Sequence, residues 1–158
     1  MKLDGTDLKI LDALQHDARI SNQDLARQVG LSPTPCLRRS NRLQQSGLVR
    51  GHAALLDQAA LGWKVNAFVF VSLEQQNNDA LEAFVGRIAG HPRIMECYLM
   101  TGDSDYLLRV VARDLDDYQR FLLSTITPIP GVANIRTSFA LQQVAYKTAL
   151  PLDEPDPE

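Results

Sequence analysis

The chain has little of several things that would place it in a special class. It holds two cysteines in 158 residues, Cys36 and Cys97, far apart. That excludes a disulfide scaffold and a four-cysteine zinc site, and it suits a reducing compartment. Its three histidines, His16, His52 and His91, are dispersed, and no two stand at the i,i+4 spacing of a metal pair. There is no phosphate-binding loop and no dinucleotide glycine motif. No convergent nucleophile, base or metal cluster is written into the chain. We therefore expect no enzyme, no metal and no cofactor, with both cysteines acting as small buried residues. No apolar run approaches the ~18–20 residues of a membrane span. The first ten residues, MKLDGTDLKI, read as amphipathic rather than as a signal peptide. The expected location is cytoplasmic, with no membrane partner. What is present is ordinary: 45% hydrophobic and 22% charged residues, enough apolar mass for one domain or two small ones.

The net charge of −3 hides a division. Residues 1–50 carry +3 and residues 51–158 carry −6. Between Leu25 and Leu56 stand Arg27, Arg38, Arg39, Arg42 and Arg50, with no carboxylate. A basic module joined to an acidic one is the expectation.

Residues 1–47 read as three helices. Leu8, Ile10, Leu11 and Leu14 follow helical spacing. Ser21-Asn22-Gln23-Asp24 has the form of a capping box, and the helix it opens stops at Gly30, where glycine supplies a left-handed cap. Ser32-Pro33 opens a third helix with proline in its first turn, running to about Ser46. The two helices flank a short turn, which is helix-turn-helix spacing; a plain three-helix bundle fits the same pattern. On the third helix Arg38, Asn41, Arg42 and Gln45 share one face, while Cys36, Leu37 and Leu43 point away. A solvated face normally mixes signs to gain i,i+4 pairs. This one has only arginines and amides, which favours contact with DNA phosphates.

Residues 48–64 form a connector with room for two short strands, at 48–50 and 53–56. From Val65 the period becomes two: Val65, Ala67, Val69, Val71 and Leu73 mark a strand. A helix near 78–89 follows, with Leu81, Phe84, Val85, Ile88 and Ala89 on one stripe. Then come strands at 94–101 and 106–112 around the turn Gly102-Asp103-Ser104-Asp105. A second helix is marked by Leu115, Tyr118, Phe121 and Leu122, and a last strand runs over 133–145. Strand-helix-strand-strand-helix-strand is the ferredoxin-like arrangement, an antiparallel sheet with both helices on one face. The fold class expected is α+β: a three-helix, winged helix-turn-helix domain over 1–52, a hinge strand or linker over 53–64, and a ferredoxin-like βαββαβ domain over 65–147. Outward positions such as Phe68 and Phe70 call for cover from a second subunit. Residues 148–158 form an acidic, proline-rich tail that cannot bury a core and is expected to be mobile.

Leu3-Asp4, Ile10-Leu11 and Ala18-Arg19-Ile20-Ser21, then Val29-Gly30-Leu31-Ser32-Pro33-Thr34-Pro35-Cys36, resemble the leucine-responsive regulator (Lrp/AsnC) family of bacterial transcription factors. So do residues 96–108 and Pro130-Gly131-Val132. The similarity spans residues 3–147. Within the family, residues 95–106 and 130–152 look closest to activators of branched-chain keto acid dehydrogenase operons. Family members usually carry an aliphatic residue where Ser40 stands; a serine there can bond back to the Cys36 carbonyl.

The resemblance implies a homodimer that assembles to an octamer. It also implies an amino-acid effector, leucine or another branched-chain amino acid, bound between dimers near the Gly102 turn. Double-stranded operator DNA is the macromolecular partner, in a nucleoid-associated setting. Reading sequence requires side chains at the start of the recognition helix: Ser32, Thr34, Pro35, Arg38 and Arg39. Arg42 and Arg50 suit phosphates. For the effector, Asp103 or Asp105 would accept from an ammonium and the Gly102 turn would offer backbone donors. Tyr98, Leu99 and Met100 would line the side-chain wall, with Tyr106 nearby. The resemblance adds Thr101, Ser138, Phe139 and Ala140. Two other readings stay open: a nucleoid-type architectural protein that bends DNA with little ligand dependence, and a ferredoxin-like metabolic domain whose helical head binds protein. In the Asp103/Asp105 turn, carboxylates bonded to their own backbone are the alternative to a ligand site.

Overall fold

The computed structural model describes residues 2–152, so 153–158, which carry the acidic end of the tail, lie outside it. The chain forms two compact units, one of Met1–Leu55 with Ala145–Glu158 and one of Leu56–Val144.

The first unit is three helices, α1 (Gly5–His16), α2 (Asn22–Val29) and α3 (Pro33–Gln45). Asp4 caps α1 in a reciprocal box: its carboxylate accepts from the Asp7 amide at 2.8 Å, and Asp7 accepts from the Asp4 amide at 3.3 Å. Both members of this box are aspartates, outside the usual Ser/Thr-x-x-Glu pattern. Ser21 caps α2, accepting from the Asp24 amide and donating to its carboxylate. Gly30 ends α2 at φ 73°, the left-handed conformation expected of it. Ile10, Ala13, Leu25, Ala26, Val29, Cys36 and Leu43 make the core. Leu37 is half exposed and does not join them. Buried Ser40 accepts from the Gln44 amide at 3.3 Å rather than bonding back to Cys36.

The expected wing and hinge strands are not formed. Residues 48–57 take no regular structure, and 50–57 are exposed throughout. A strand needs a partner for its backbone groups, and no neighbouring strand is present among the described residues.

The second unit holds β1 (Val65–Leu73), α4 (Asn78–Ile88), β2 (Ile94–Leu99), β3 (Tyr106–Ala112), α5 (Leu115–Phe121) and β4 (Val132–Ala140). The sheet order is β2-β3-β1-β4, every pair antiparallel, which is the ferredoxin-like topology. Ala67, Val69 and Val71 alternate with Phe68 and Phe70 as the period of two requires, and the former pack against Phe84, Ile88, Tyr118 and Phe121 from the helices. Val85 and Ala89 of the expected helical stripe are exposed. After α5 the chain continues as a π-helical turn, Leu122–Ile126, before Pro128. β4 stops at Ala140, five residues short of the expected end, and residues 142–150 have no regular structure.

Trp63 anchors the start of this unit. It stacks under two guanidinium groups, those of Arg93 at 5.7 Å and Arg113 at 5.3 Å from the ring centroid. Arg93 in turn bridges Asp117 at 3.0 Å.

Candidate DNA-binding and effector sites

α3 carries the residues expected to meet DNA. Ser32 is its N-cap and makes no side-chain cap bond; Pro33 occupies the first turn. The hydroxyls of Ser32 and Thr34 are exposed and Pro35 is half-buried. Asn22 donates to the Pro33 carbonyl at 2.9 Å and fixes the entry of α3 against α2. Exposed Arg38 makes no ion pair among the described residues, and Arg50 lies exposed beyond the helix.

Arg39 and Arg42 differ from the sequence reading. The segment around them has no carboxylate, but α1 supplies two. Arg39 donates to Asp4 at 2.6 Å and to Asp7 at 2.8 Å, and Arg42 donates to Asp7 at 2.6 Å. The Asp7 side chain is 1% exposed. The Arg39 guanidinium holds the Asp4 carboxyl below its ordinary value, and the aspartates raise Arg39 further. The arginine face is thus partly an internal clamp between the first and third helices. On α3, Arg38 alone of the three arginines makes no ion pair among the described residues.

The turn after β2 is tied to the end of β1. The Asp105 amide donates to the Val71 carbonyl at 2.9 Å, and the Leu73 amide donates to the Asp105 carboxylate at 2.7 Å. Ser72 donates to the Asp103 carbonyl at 3.2 Å. Asp105 is 9% exposed. Its carboxylate accepts from the Leu73 amide of β1 rather than from its own turn. Tyr106 is likewise a core residue, 3% exposed, stacked on Phe84 and donating to the Leu81 carbonyl. What the turn leaves open is the exposed Asp103 carboxylate and the amides of Thr101, Gly102, Asp103 and Ser104, which make no hydrogen bond among the described residues. Gly102 sits at φ 110°, a conformation that side-chain-bearing residues rarely adopt. Leu99 and Met100 stand exposed beside it.

Ser138, Phe139 and Ala140 are not near this turn. They sit on β4, opposite Phe68, Ala67 and Asn66, at the far end of β1 from Val71 and Leu73. β2 and β4 are opposite edges of the sheet. The turn is bonded to Ser72 and Val71 on β1, whereas Ser138 pairs with Phe68 four residues along the same strand, so the two sets stand about 13 Å apart along the strand direction. The three β4 residues also split by face: Phe139 lies on the helix side against Tyr118, while Ser138 and Ala140 face the other way.

That other face carries Phe68 and Phe70, half-buried, with Arg136 4.4 Å over the Phe70 ring. Arg109 bridges Glu96 at 2.7 Å and Asn66 at 3.2 Å, and Tyr98 donates to Glu96. Burial alone would raise the Glu96 carboxyl; the bonds from Arg109 and Tyr98 outweigh it and hold it low. Among the described residues of the second unit, both helices pack on the opposite face of the sheet, against Ala67, Val69 and Val71. Among the described residues there is no cluster of metal-ligating side chains and no helix long and apolar enough to cross a membrane.

Comparison with known proteins agrees with both units. Residues 3–50 match a winged helix-turn-helix DNA-binding family, and residues 66–150 match the Lrp/AsnC ligand binding domain. The chain is 51% identical to the Bkd operon transcriptional regulator of Pseudomonas aeruginosa over 96% of its length and 99% of that protein's. It is 42% identical to the leucine-responsive regulatory protein of Rhizobium meliloti over 91% and 92%. A transcriptional regulator of Neisseria meningitidis solved in complex with L-Met superposes with a TM-score of 0.91 at 38% identity, covering 96% and 98% of the two chains. AsnC of E. coli gives a TM-score of 0.87 at 27% identity, covering 96% and 100%. These relatives are regulators, not enzymes. A helix-turn-helix head followed by a ferredoxin-like ligand-binding unit, with both family matches and the 51% identical relative, places the chain in the Lrp/AsnC family of DNA-binding transcriptional regulators.

Proposed function

We propose that the protein is a cytoplasmic regulator of amino-acid metabolism genes whose operator binding is tuned by a small, apolar amino acid. In the DNA complex Arg38 reads a base edge from the start of the recognition helix, with Ser32, Thr34 and Pro35 beside it. Arg39, Arg42 and Arg50 add phosphate contacts, the first two at reduced strength because α1 already neutralises them in part.

The effector rests on Thr101, Gly102 and Asp103. Unbonded turn amides suit its carboxylate, Asp103 suits its ammonium, and Leu99 and Met100 suit an aliphatic or thioether side chain. Asp105 and Tyr106 hold the turn in place from behind. The observation that carries this reading is the separation of the turn from the β4 residues. One chain cannot enclose a single amino acid between Gly102 and Ser138. A site using both sets joins two chains, which supports an effector bound between subunits. The uncovered face with Phe68 and Phe70 supports a dimer, and a site shared between dimers supports their assembly to an octamer. Ligand at such a junction changes assembly or the spacing of recognition helices, which couples the two sites.

Isothermal titration of leucine, isoleucine, valine, alanine, phenylalanine and methionine into the purified protein tests the sensing claim. Heat of binding with one or more, lost in Asp103→Ala, is the expected result; no heat with any of them sinks it.

A further inference from the structure

Residues 141–149 leave the sheet of the second unit without regular structure, and the chain then returns to the first. There the Gln15 side-chain amide grips the backbone of Leu150 from both sides: its Nε2 donates to the Leu150 carbonyl at 3.0 Å, and its Oε1 accepts from the Leu150 amide at 2.7 Å. A glutamine that pairs with both polar groups of one residue holds an extended segment as a neighbouring strand would. The next residues wall a pocket of about 400 Å³ against Leu8, Asp12, Gln28 and Val29. Leu152 is half-buried there, whereas the Leu150 side chain is exposed. The grip on Leu150 is therefore polar and main-chain, and Leu152 supplies apolar contact.

This face of α1 is not the one that meets α3. At 100° per residue, Leu8, Asp12 and Gln15 lie away from Asp7, which holds Arg39 and Arg42. The contact leaves the recognition face open, so it is no plug against DNA.

We propose that the α1–α2 face of the DNA-binding unit is a docking site for the chain's own 149–152 segment, which acts as a second tether between the two units. The first link, between Gly47 and Asp57, has about ten residues without regular structure and spans at most about 35 Å. The second, from Ala140 to Leu150, has the same reach. One such link lets the head swivel; two confine it. Confinement raises the effective concentration of the second head of a dimer once the first has bound its half-site. The tether also begins at Ala140, in the strand expected to take part in effector binding.

The test uses the full chain and two variants, Gln15→Ala and Leu152→Asp, with truncations after Thr148 and after Leu152 as a matched pair. Hydrogen exchange reads the docking. The Leu150 amide is expected to be protected in the parent and in the chain ending at Leu152, and to exchange at the free-peptide rate in Gln15→Ala. Binding to DNA with one and with two half-sites reads the consequence. Gln15→Ala, Leu152→Asp and the chain ending at Thr148 should lose about threefold or more on two half-sites and keep the parent affinity on one. The chain ending at Leu152 should match the parent on both. An unprotected Leu150 amide in the parent overturns the docking. Parent affinity on two half-sites in all three undocked forms overturns the tether.

Discussion

Arg39 donates to the buried carboxylate of Asp7 across 2.8 Å, a bond that joins the recognition helix to α1. The same carboxylate takes Arg42 at 2.6 Å through its other oxygen. Two of the arginines in the basic head therefore hold its shape, whatever they add to DNA affinity. Opposite charges separated by more than thirty residues in sequence meet because α1 and α3 pack side by side.

Separation of roles among these arginines is the first expectation. Arg38→Ala should weaken operator binding by about 1–3 kcal/mol, the worth of a base-reading pair, with an unchanged urea midpoint. Asp7→Asn should lower stability by about 2 kcal/mol, because the arginines it leaves can still reach water. Titration on operator DNA at fixed salt and urea unfolding separate the two. Equal stability losses in both variants would show Arg38 to be structural.

Acid sensitivity follows from Asp4. The hydrogen bond from Arg39 depresses its carboxyl below the ordinary value. A carboxylate with a lowered folded value stabilises the fold above its unfolded value near 4, and loses that contribution as pH falls through the folded one. Asp4→Asn should therefore melt below the parent at pH 7, with the gap closing as pH falls below about 4. Parallel melting curves across that range would contradict it.

The two aspartates of the Gly102 turn should separate cleanly. Asp105→Ala strands the buried Leu73 amide and should cost about 1–3 kcal/mol of stability. Asp103→Ala should leave stability unchanged and weaken effector binding, read by calorimetry. A stable Asp105→Ala protein would remove the structural assignment.

The uncovered sheet face gives an assembly expectation. Phe68→Asp with Phe70→Asp should sediment as a monomer where the parent does not, while circular dichroism stays that of an α+β protein, since neither ring lies on the helix side. Unchanged sedimentation would place the dimer contact elsewhere.

Much of this architecture was legible from periodicity. β3 runs over the same seven residues, and the Ser21 and Gly30 ends of α2 stand where capping chemistry puts them. The misses share a cause: they depend on partners distant in sequence. The arginine face looked unopposed because Asp4 and Asp7 lie in another helix. Asp105 looked like a turn residue or a ligand because the Leu73 amide comes from another strand. Gln15 gave no signal, since one glutamine on a helix announces nothing until Leu150 arrives. A strand at 53–56 was expected from residue types alone, yet it has no edge to pair with. Resemblance groups Ser138 to Ala140 with the Gly102 turn, and the register along β1 sets them apart within one chain.

An amino acid at the Gly102 turn should alter DNA binding by the helical head. Titration of the protein onto DNA from its own promoter, at one salt concentration, with and without each of the six amino acids, measures that coupling. An affinity shift of about fivefold or more with at least one of them is expected, abolished in Asp103→Ala. Identical isotherms with and without every amino acid would mean that the turn does not govern the head.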